Sequence, residues 1–288
     1  MRLQFQCFMS FRPIFYLIIQ SVLLLACNSE PADRSLDASV ERPLDESEMV
    51  TKAKEKQPLD STAKYVYLSF DDGPLFGTSS CIDICEQENV KATFFQIGFH
   101  QSRSQWGKRL YQRIVEKPDL FLLTNHSFSH TYGDYLKFYH QPDSALEDFK
   151  QAAEVLHTQN NIVRLPGNNG WSTETIHSSS KLVRPLVHKL DSAGFNVVGW
   201  DVEWRFTKTG RPIQSAERMA FVVDSMFKYN ENRTKNHLVL LMHDHMFRKP
   251  EDSVKLVQFI QFLKYKNQYQ FVLLNQYPGL KNQGINNF

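Results

Sequence analysis

The chain contains the sequence YVYLSFDDGP at residues 65–74, in which a short apolar run ends abruptly at two neighbouring carboxylates. The apolar part, Tyr65–Phe70, has the length of one strand and lacks the strict alternation of a strand with one wet face. Such runs are typical of parallel strands that are covered on both faces. The sequence therefore predicts a buried strand that brings Asp71 and Asp72 to its carboxyl end.

Four further apolar runs end in the same way and are followed by polar or charged residues: Leu120–Leu123, Asn161–Val163, Phe195–Trp200 and Leu238–Met242. Helices are predicted between the strands at Thr78–Glu88, Ser102–Glu116, Asp143–His157, Val183–Ala193, Ser215–Tyr229 and Glu251–Lys266. Because strands and helices alternate, we expect an α/β fold, a distorted (β/α) barrel of about seven or eight strands. The active site of such a barrel lies at the C-terminal ends of its strands.

A second polar stretch, NHSFSH at residues 125–130, follows the run at Leu120–Leu123. His126 and His130 are four residues apart and would fall on one side of a helical turn, so that both rings can reach one ion. With one carboxylate they supply the three ligands of a hydrolytic metal site, and the other carboxylate is left to act as a base. An isolated pair of this kind is more often a surface or capping pair, but the adjacent aspartates favour the metal site.

These motifs resemble those of the polysaccharide deacetylases, the NodB-homology domain of carbohydrate esterase family 4. The sequence SFDDGP at 69–74 is similar to the first motif of the family, HSFSH at 126–130 to the second and LMH at 241–243 to the fifth. Two motifs depart from the pattern. RLPG at 164–167 lacks the usual aromatic residue and the Gly after it, and DVEW at 201–204 has Glu203 in place of Asp.

The resemblance implies a chemical role for each motif. Asp72, His126 and His130 would bind a divalent metal ion, and this ligand set favours zinc. Asp71 would be the general base that takes a proton from the attacking water, and His243 the general acid that protonates the leaving amine.

Further roles follow from the looser motifs. Arg164 would pair with Asp71 and orient it, and an ordinary strand-end ion pair is the alternative. Gly167 would offer its N–H to the oxyanion. Trp204 and Leu241 would wall the pocket for the acetyl methyl, or belong to the core.

We also expect a carboxylate beside His243, because it would favour the charged ring that an acid needs. Asp201 and Glu203 are the two candidates. The resemblance favours Glu203, which directly precedes the tryptophan as the carboxylate of the family does. The histidines outside these motifs are expected to have no ligand role: His100, His140, His157, His177, His188 and His237. The sequence assigns no role to Asp244 or His245.

Residues 1–26 contain Arg2 and Arg12, a short apolar stretch and no acidic residue. This composition predicts a secretory signal peptide rather than a membrane span, which needs about 20 apolar residues. LLAC at 24–27 resembles the lipobox of bacterial lipoproteins, in which the cysteine is acylated after cleavage. An uncleaved anchor has a similar composition and stays the alternative.

Residues 27–63 would then be the lipidated Cys27 and a flexible acidic tether, since they are rich in Asp, Glu, Ser and Pro and contain no aromatic residue. The remainder, 64–288, has the size of one barrel domain. It carries 26 Lys and Arg against 22 Asp and Glu, a balance that does not favour a nucleic-acid partner. Cys81 and Cys85 are expected to be buried thiols, because a disulfide between i and i+4 would be strained, and a disulfide in an oxidising compartment stays the alternative.

The sequence thus predicts a membrane-anchored lipoprotein of the bacterial cell envelope that removes N-acetyl groups from an amino-sugar polysaccharide of the peptidoglycan or chitin type. No protein partner is evident. An O-acetyl esterase acting on a xylan-like polymer, or a deacetylase of a small amide, is the alternative enzyme. A catalytically inactive carbohydrate-binding lipoprotein is the alternative from another class, although it would have no use for a base, an acid and a metal together.

Overall fold

The structure is a computed structural model that describes residues 59–281. The predicted signal peptide, Cys27 and most of the predicted tether therefore lie outside the described residues, and so does the stretch 282–288. Two residues assigned to the tether, Leu59 and Ala63, pack against the core of the domain. No helix within residues 59–281 has both the length and the apolar character needed to cross a membrane.

Ten strands within residues 59–281 form one sheet: β1 (Lys64–Gly73), β2 (Ala92–Gln96), β3 (Phe121–Asn125), β4 (Ile162–Val163), β5 (Trp171–Ser172), β6 (His177–Ser178), β7 (Asn196–Val197), β8 (Val202–Glu203), β9 (His237–His243) and β10 (Tyr269–Phe271). Their order in the sheet is β6-β5-β7-β4-β3-β2-β1-β9-β8, with β10 beside the first residues of β1. All pairings are parallel except those of β5 with β6 and with β7. Within residues 59–281 the order ends at β6 and β8, so the sheet is a curled, open barrel. The predicted α/β barrel is confirmed, but the described residues form ten strands rather than seven or eight, because strands of two residues leave little apolar pattern in the sequence.

In the described part of the chain, eight α-helices connect the strands: α1 (Phe76–Gln87), α2 (Gly98–Arg103), α3 (Gln105–Val115), α4 (Tyr135–His140), α5 (Pro142–Leu156), α6 (Arg184–Ser192), α7 (Ala216–Tyr229) and α8 (Pro250–Tyr265). The six predicted helices are confirmed as α1, α3, α5, α6, α7 and α8, each end to within three residues. The sequence patterns do not predict β2 or the two short helices α2 and α4, which follow β2 and β3.

The two faces of β1 pack against two different cores. Val66, Leu68 and Phe70 belong to a cluster that includes side chains of α1, α7 and α8, on the outer face of the sheet. Tyr65 and Tyr67 belong to a cluster inside the barrel. Both faces are buried, which explains the continuous apolar sequence, and each fully buried side chain contributes about 1.5–3 kcal/mol.

The cysteines Cys81 and Cys85 lie on α1 as buried free thiols, as the sequence predicts. Burial raises the pKa of both thiols, so neither is poised to react as a thiolate.

Candidate active site

The carboxyl end of β1 carries both aspartates and is interrupted by a β-bulge. The register between β1 and β2 shifts between Phe70 and Gly73, and Asp72 has a left-handed backbone with φ 76°. A bulged residue turns its side chain out of the regular strand alternation. Asp71 therefore keeps the inward direction of its strand, and Asp72 reaches the same region from the following position.

Glycine is required immediately after the bulge because polar side chains crowd this turn. A β-carbon on Gly73 would lie 2.4 Å from Nε2 of Gln96 and 2.6 Å from Oδ2 of Asp244. The Asp244 carboxyl is fully buried, and burial raises its pKa to about 8, although the Thr78 hydroxyl donates a hydrogen bond to it. The turn that carries Asp72 is thus fixed by the side chains of Gln96, Thr78 and Asp244, which pack closely against Gly73.

Asp72, His126 and His130 form a compact cluster of possible metal ligands. One ligand atom of each residue lies within 4.8 Å of the other two. Oδ1 of Asp72 is 3.5 Å from Nε2 of His126 and 3.2 Å from Nε2 of His130. No second group of three such side chains is arranged in this way within residues 59–281.

The surroundings of this cluster fit a divalent metal ion. Oδ1 of Asp72 is buried and has no hydrogen-bond partner in the described part of the chain. His126 donates a hydrogen bond from Nδ1 to the carbonyl oxygen of Arg164 at 2.9 Å, which leaves the lone pair of its Nε2 free for an ion. Two imidazole nitrogens and one carboxylate oxygen are a common ligand set of hydrolytic metal sites.

The loop from His126 to His130 brings the two rings together without a helical turn, so the helical geometry expected from their spacing is wrong. Ser127 and His130 have left-handed backbones with φ 68° and 48°. The Ser127 hydroxyl accepts the N–H of His130 at 3.0 Å. Asp148 on α5 accepts the N–H groups of Phe128 and Ser129 at 2.9 Å and 3.2 Å. Two side-chain acceptors therefore hold the loop that carries both histidines.

Arg164 crosses the barrel from the end of β4 to Asp71. Its Nη1 donates to Oδ1 of Asp71 and to Oγ of Ser69, both at 2.8 Å. Its other donors bond the carbonyl oxygens of Val198 and Gly199 at 3.1 Å and 2.9 Å. The guanidinium is fully buried, and its hydrogen bonds fix its direction. The carboxylate of Asp71 is therefore held in one orientation beside the three possible metal ligands.

The second carboxylate oxygen of Asp71 lies 3.6 Å from Nε2 of His126, so both aspartates lie close to the same imidazole ring. Burial alone would lower the pKa of His126, but the charges of Asp71 and Asp72 raise it. Burial alone would raise the pKa of Asp72, but the neighbouring His126 and His130 hold it well below its usual range. The site therefore favours an anionic Asp72, which is the form that binds a cation.

His243 ends β9 and lies opposite Asp71 in the strand register. Its Nε2 is 4.0 Å from Oδ2 of Asp72, and its ring packs edge-on against Phe206 with centroids 4.8 Å apart. Its Nδ1 is buried and has no hydrogen-bond partner within residues 59–281.

Neither candidate carboxylate forms a hydrogen bond with His243. Asp201 accepts the backbone N–H groups of Arg233 and Val239 at 2.9 Å and 2.8 Å, and burial raises its pKa. These bonds give Asp201 a structural role at the start of β9. Glu203 lies on the same strand face as His243 by alternation, but its carboxylate lies 4.0 Å from Nε of Arg205.

The three residues expected to contact the substrate, Gly167, Leu241 and Trp204, differ in their exposure and in their contacts. Gly167 is exposed with φ 62°, and its N–H donates no hydrogen bond within residues 59–281, as an oxyanion donor requires. Leu241 is buried on the inward face of β9. Trp204 is instead a core residue: it is completely buried, packs against Phe259 and donates from Nε1 to the carbonyl oxygen of Gln214.

The structure adds two histidines that the sequence did not assign to the site. Nδ1 of His100 donates to the carbonyl oxygen of Asp72 at 2.9 Å, so His100 lies beside the site although it is not one of the possible metal ligands. His100 follows the carboxyl end of β2, and recognition of that strand would have identified it. Nδ1 of His245 lies 3.9 Å from Oδ2 of Asp72, and burial together with the nearby His243 lowers the pKa of His245 to about 4.

Parts of this chain are similar in sequence to known proteins. A sequence model of the family described as polysaccharide deacetylase matches residues 59–182. The chain is 27% identical over 219 residues to a peptidoglycan-N-acetylglucosamine deacetylase of Bacillus cereus, a match that covers 72% of this chain and 68% of that protein. It is 26% identical over 185 residues to the putative polysaccharide deacetylase YheN of Bacillus subtilis, covering 63% of this chain and 58% of that protein.

The fold is similar to that of a solved structure, the catalytic domain of a peptidoglycan N-acetylglucosamine deacetylase from Eubacterium rectale. The TM-score is 0.56 at 25% sequence identity, and the similarity covers 80% of this chain and 98% of that chain. The family match contains Asp71, Asp72, His126, His130 and Arg164, and the structural similarity extends well beyond it.

Proposed function

We propose, on the premise that this chain contains a polysaccharide deacetylase domain, that it hydrolyses N-acetyl groups of an amino-sugar polysaccharide of the peptidoglycan or chitin type. The observation that carries the proposal is the position of Asp71. One carboxylate oxygen lies 2.8 Å from Nη1 of Arg164, and the other lies 3.6 Å from Nε2 of His126. The carboxylate is therefore fixed directly beside the three possible metal ligands. A base next to three metal ligands is an arrangement that supports metal-dependent hydrolysis of an amide.

Asp71 acts as the general base. Its carboxylate takes a proton from the water that attacks the acetyl carbonyl, and Arg164 keeps it directed at the site during the reaction. The buried guanidinium also compensates the negative charge that would otherwise stand alone in the interior.

Asp72, His126 and His130 would hold a divalent metal ion, and we propose zinc because two nitrogen ligands and one carboxylate suit this ion. When bound, such an ion polarises the acetyl carbonyl and eases deprotonation of the attacking water.

His243 and Gly167 complete the reaction. The exposed N–H of Gly167 donates to the oxyanion that forms when water adds to the carbonyl. The imidazolium of His243 then gives its proton to the leaving nitrogen, so that acetate and a free amino sugar are released. Leu241 supplies an apolar wall on the inward face of β9.

The test is acetate release by the purified protein from chitin oligomers, peptidoglycan and acetylated xylan. We expect release from the first two substrates and its loss in Asp71→Asn. Release from xylan alone would support the O-acetyl esterase instead, and the absence of release from all three substrates would contradict a polysaccharide deacetylase.

We also propose that Cys27 is the lipidated N-terminus of the mature protein and that residues 28–58 tether the domain to a membrane of the bacterial cell envelope. The proposal is supported by LLAC at 24–27, the basic and apolar residues before it and the acidic composition after it. Detergent partitioning of wild-type protein and Cys27→Ser tests it. Equal partitioning at equal molecular mass would contradict lipidation.

A further inference from the structure

Several aromatic residues lie in the loops and helix ends around the candidate active site, and four of them form two pairs. We call Phe76, Phe99, Trp106 and Tyr132 the aromatic rim. Phe76 and Tyr132 are 79% and 70% exposed. The rings form two pairs: Phe76 lies 6.4 Å from Trp106, and Tyr132 lies 5.8 Å from Phe99, measured between centroids. Each pair thus presents one strongly exposed ring that is supported by a second ring.

Three residues of the aromatic rim follow the possible metal ligands closely along the chain or adjoin a residue bonded to them. Phe76 follows Asp72 by four residues, and Tyr132 follows His130 by two residues. Phe99 directly precedes His100, whose Nδ1 donates to the carbonyl oxygen of Asp72. A ligand that places one group at the metal cluster would therefore pass over these rings with its neighbouring groups.

The backbone under the rings is well fixed. The N–H of Phe99 donates to the carbonyl oxygen of Phe128 at 2.9 Å, so the start of α2 is bonded to the loop that carries the metal ligands. Tyr132 has a left-handed backbone with φ 48°, and its N–H donates to the carbonyl oxygen of Ser129 at 3.1 Å. Such a conformation costs about 1–3 kcal/mol in a residue with a side chain and is concentrated at functional sites. Rings held in this way can bind without a large loss of entropy.

Two arginine side chains, Arg103 and Arg109, pack against rings of the aromatic rim. The guanidinium of Arg103 lies 5.0 Å from the centre of the Phe99 ring, and that of Arg109 lies 5.7 Å from the Trp106 ring. Neither arginine has a carboxylate within 4.0 Å in the part of the chain that the structure describes. The stretch 98–115 contains no acidic residue at all. These two guanidinium groups are available to a negatively charged ligand.

We propose that the aromatic rim, with Arg103 and Arg109, binds the sugar residues adjacent to the acetylated one in a glycan that carries carboxylates. One face of a pyranose ring is a row of C–H groups, which packs on the electron-rich face of an aromatic ring. A carboxylate on the next sugar or on its substituent pairs with a guanidinium. The inference rests on the proposed deacetylase function and names the substrate as an extended anionic polymer rather than a single sugar.

The aromatic part is tested with Phe76→Ala/Tyr132→Ala, which truncates the two most exposed rings of the rim. The matched control is Phe221→Ala/Tyr265→Ala, two rings of 57% and 92% exposure on α7 and α8. We expect the first variant to lower kcat/KM on a peptidoglycan oligomer, relative to an N-acetylated monosaccharide, by about tenfold or more, chiefly through KM. A ratio equal to that of the control variant would overturn the aromatic binding surface.

The charged part is tested with Arg103→Gln/Arg109→Gln. Arg218→Gln is the matched control, because its guanidinium lies 5.0 Å from the Phe221 ring in the same geometry. The double variant should lose the preference for a peptidoglycan oligomer over a neutral N-acetylglucosamine oligomer of equal length, and its KM should become less dependent on salt. An unchanged preference would overturn the assignment of an anionic glycan.

Calorimetric binding of the same two oligomers distinguishes this inference from the proposed function. Weaker binding by the rim variants supports the aromatic rim even in a protein that releases no acetate, a result that would contradict only the proposed function. Acetate release with binding and kinetic ratios equal to those of the controls would contradict only the inference.

Discussion

At the scale of single residues, the centre of this site is a buried charge pair. Arg164 is completely buried, and Asp71 is 2% exposed. Removing one partner of such a pair leaves an uncompensated charge in the interior, which costs far more than breaking an ion pair at the surface. Arg164 and Asp71 therefore contribute to the proposed catalysis and to the stability of the fold.

We predict that Arg164→Met lowers the free energy of unfolding by about 3–5 kcal/mol, because the carboxylate of Asp71 stays buried without its partner. Urea unfolding measures the loss. The control is Arg113→Met, which removes partly exposed ion pairs with Asp83 and Glu86 and should cost about 1 kcal/mol or less. Addition of Asp71→Asn to Arg164→Met should restore part of the stability, and a purely additive double variant would contradict the explanation.

We predict that Asp71→Asn and Asp72→Asn differ in their metal content. Asp71→Asn removes the base and should lower turnover by about 10²–10⁴-fold while the bound metal is retained. Asp72→Asn removes a ligand and should lose metal and activity together. Metal analysis after gel filtration, combined with acetate release, separates the two roles, and loss of metal in Asp71→Asn would mean that Asp71 is itself a ligand.

At the scale of elements, the loop after β3 depends on a helix that follows it in the chain. Asp148 on α5 accepts two backbone N–H groups of the loop between His126 and His130. The loop has no helical hydrogen bonds of its own, so this carboxylate replaces them. Residues that hold metal ligands in place contribute to metal affinity without touching the ion.

We predict that Asp148→Ala weakens metal binding by about 10–100-fold. Asp143→Ala is the matched control on the same helix, because Asp143 is exposed and pairs only with Lys189 among the described residues. Competition with a chromogenic chelator measures the affinity of each variant. Equal affinities of the two variants would show that the loop keeps its shape without the carboxylate.

At the scale of the whole molecule, the two ends of the barrel serve different purposes. The carboxyl ends of the strands carry the charged site, whereas the amino ends enclose an aromatic cluster. His237 lies there, with its Nδ1 in a 2.7 Å hydrogen bond with the hydroxyl of Tyr67 and its ring stacked on Tyr65 at 5.1 Å. Tyr277 packs against the same ring. These neighbours are uncharged, and burial lowers the pKa of His237 to about 4.

We predict that acidification destabilises the domain through His237. The unfolded state takes up a proton near pH 6.5 and the folded state only near pH 4, so the unfolded state binds more protons in between. Stability is therefore retained above about pH 6.5 and is lost as the pH falls towards 4, by up to roughly 3 kcal/mol. Urea unfolding of wild type and His237→Gln between pH 7 and 4 measures the difference, with exposed His188→Gln as control. Equal pH slopes in wild type and His237→Gln would contradict this assignment.

Much of the fold and the centre of the site could be predicted from the sequence because their causes are local. The continuous apolar run before Asp71 reports burial on both faces of β1, and the apolar spacing along α5, α6 and α7 reports one covered face each. Since parallel strands bring their carboxyl ends to one edge, the sequence placed Asp72 and His126 on the same edge of the sheet. The signal peptide and the lipidation of Cys27 were also derived from local composition, and they stay predictions.

The tertiary structure decided what depends on residues far apart in the chain. The direction of Trp204 was set by α8, which buries it in the core, and Asp201 was engaged by the backbone at the start of β9. His100 reached Asp72 through β2 and α2, which the sequence patterns did not predict. Side-chain partners of this kind are determined by the packing of whole elements against one another, and no periodicity along the chain records that packing.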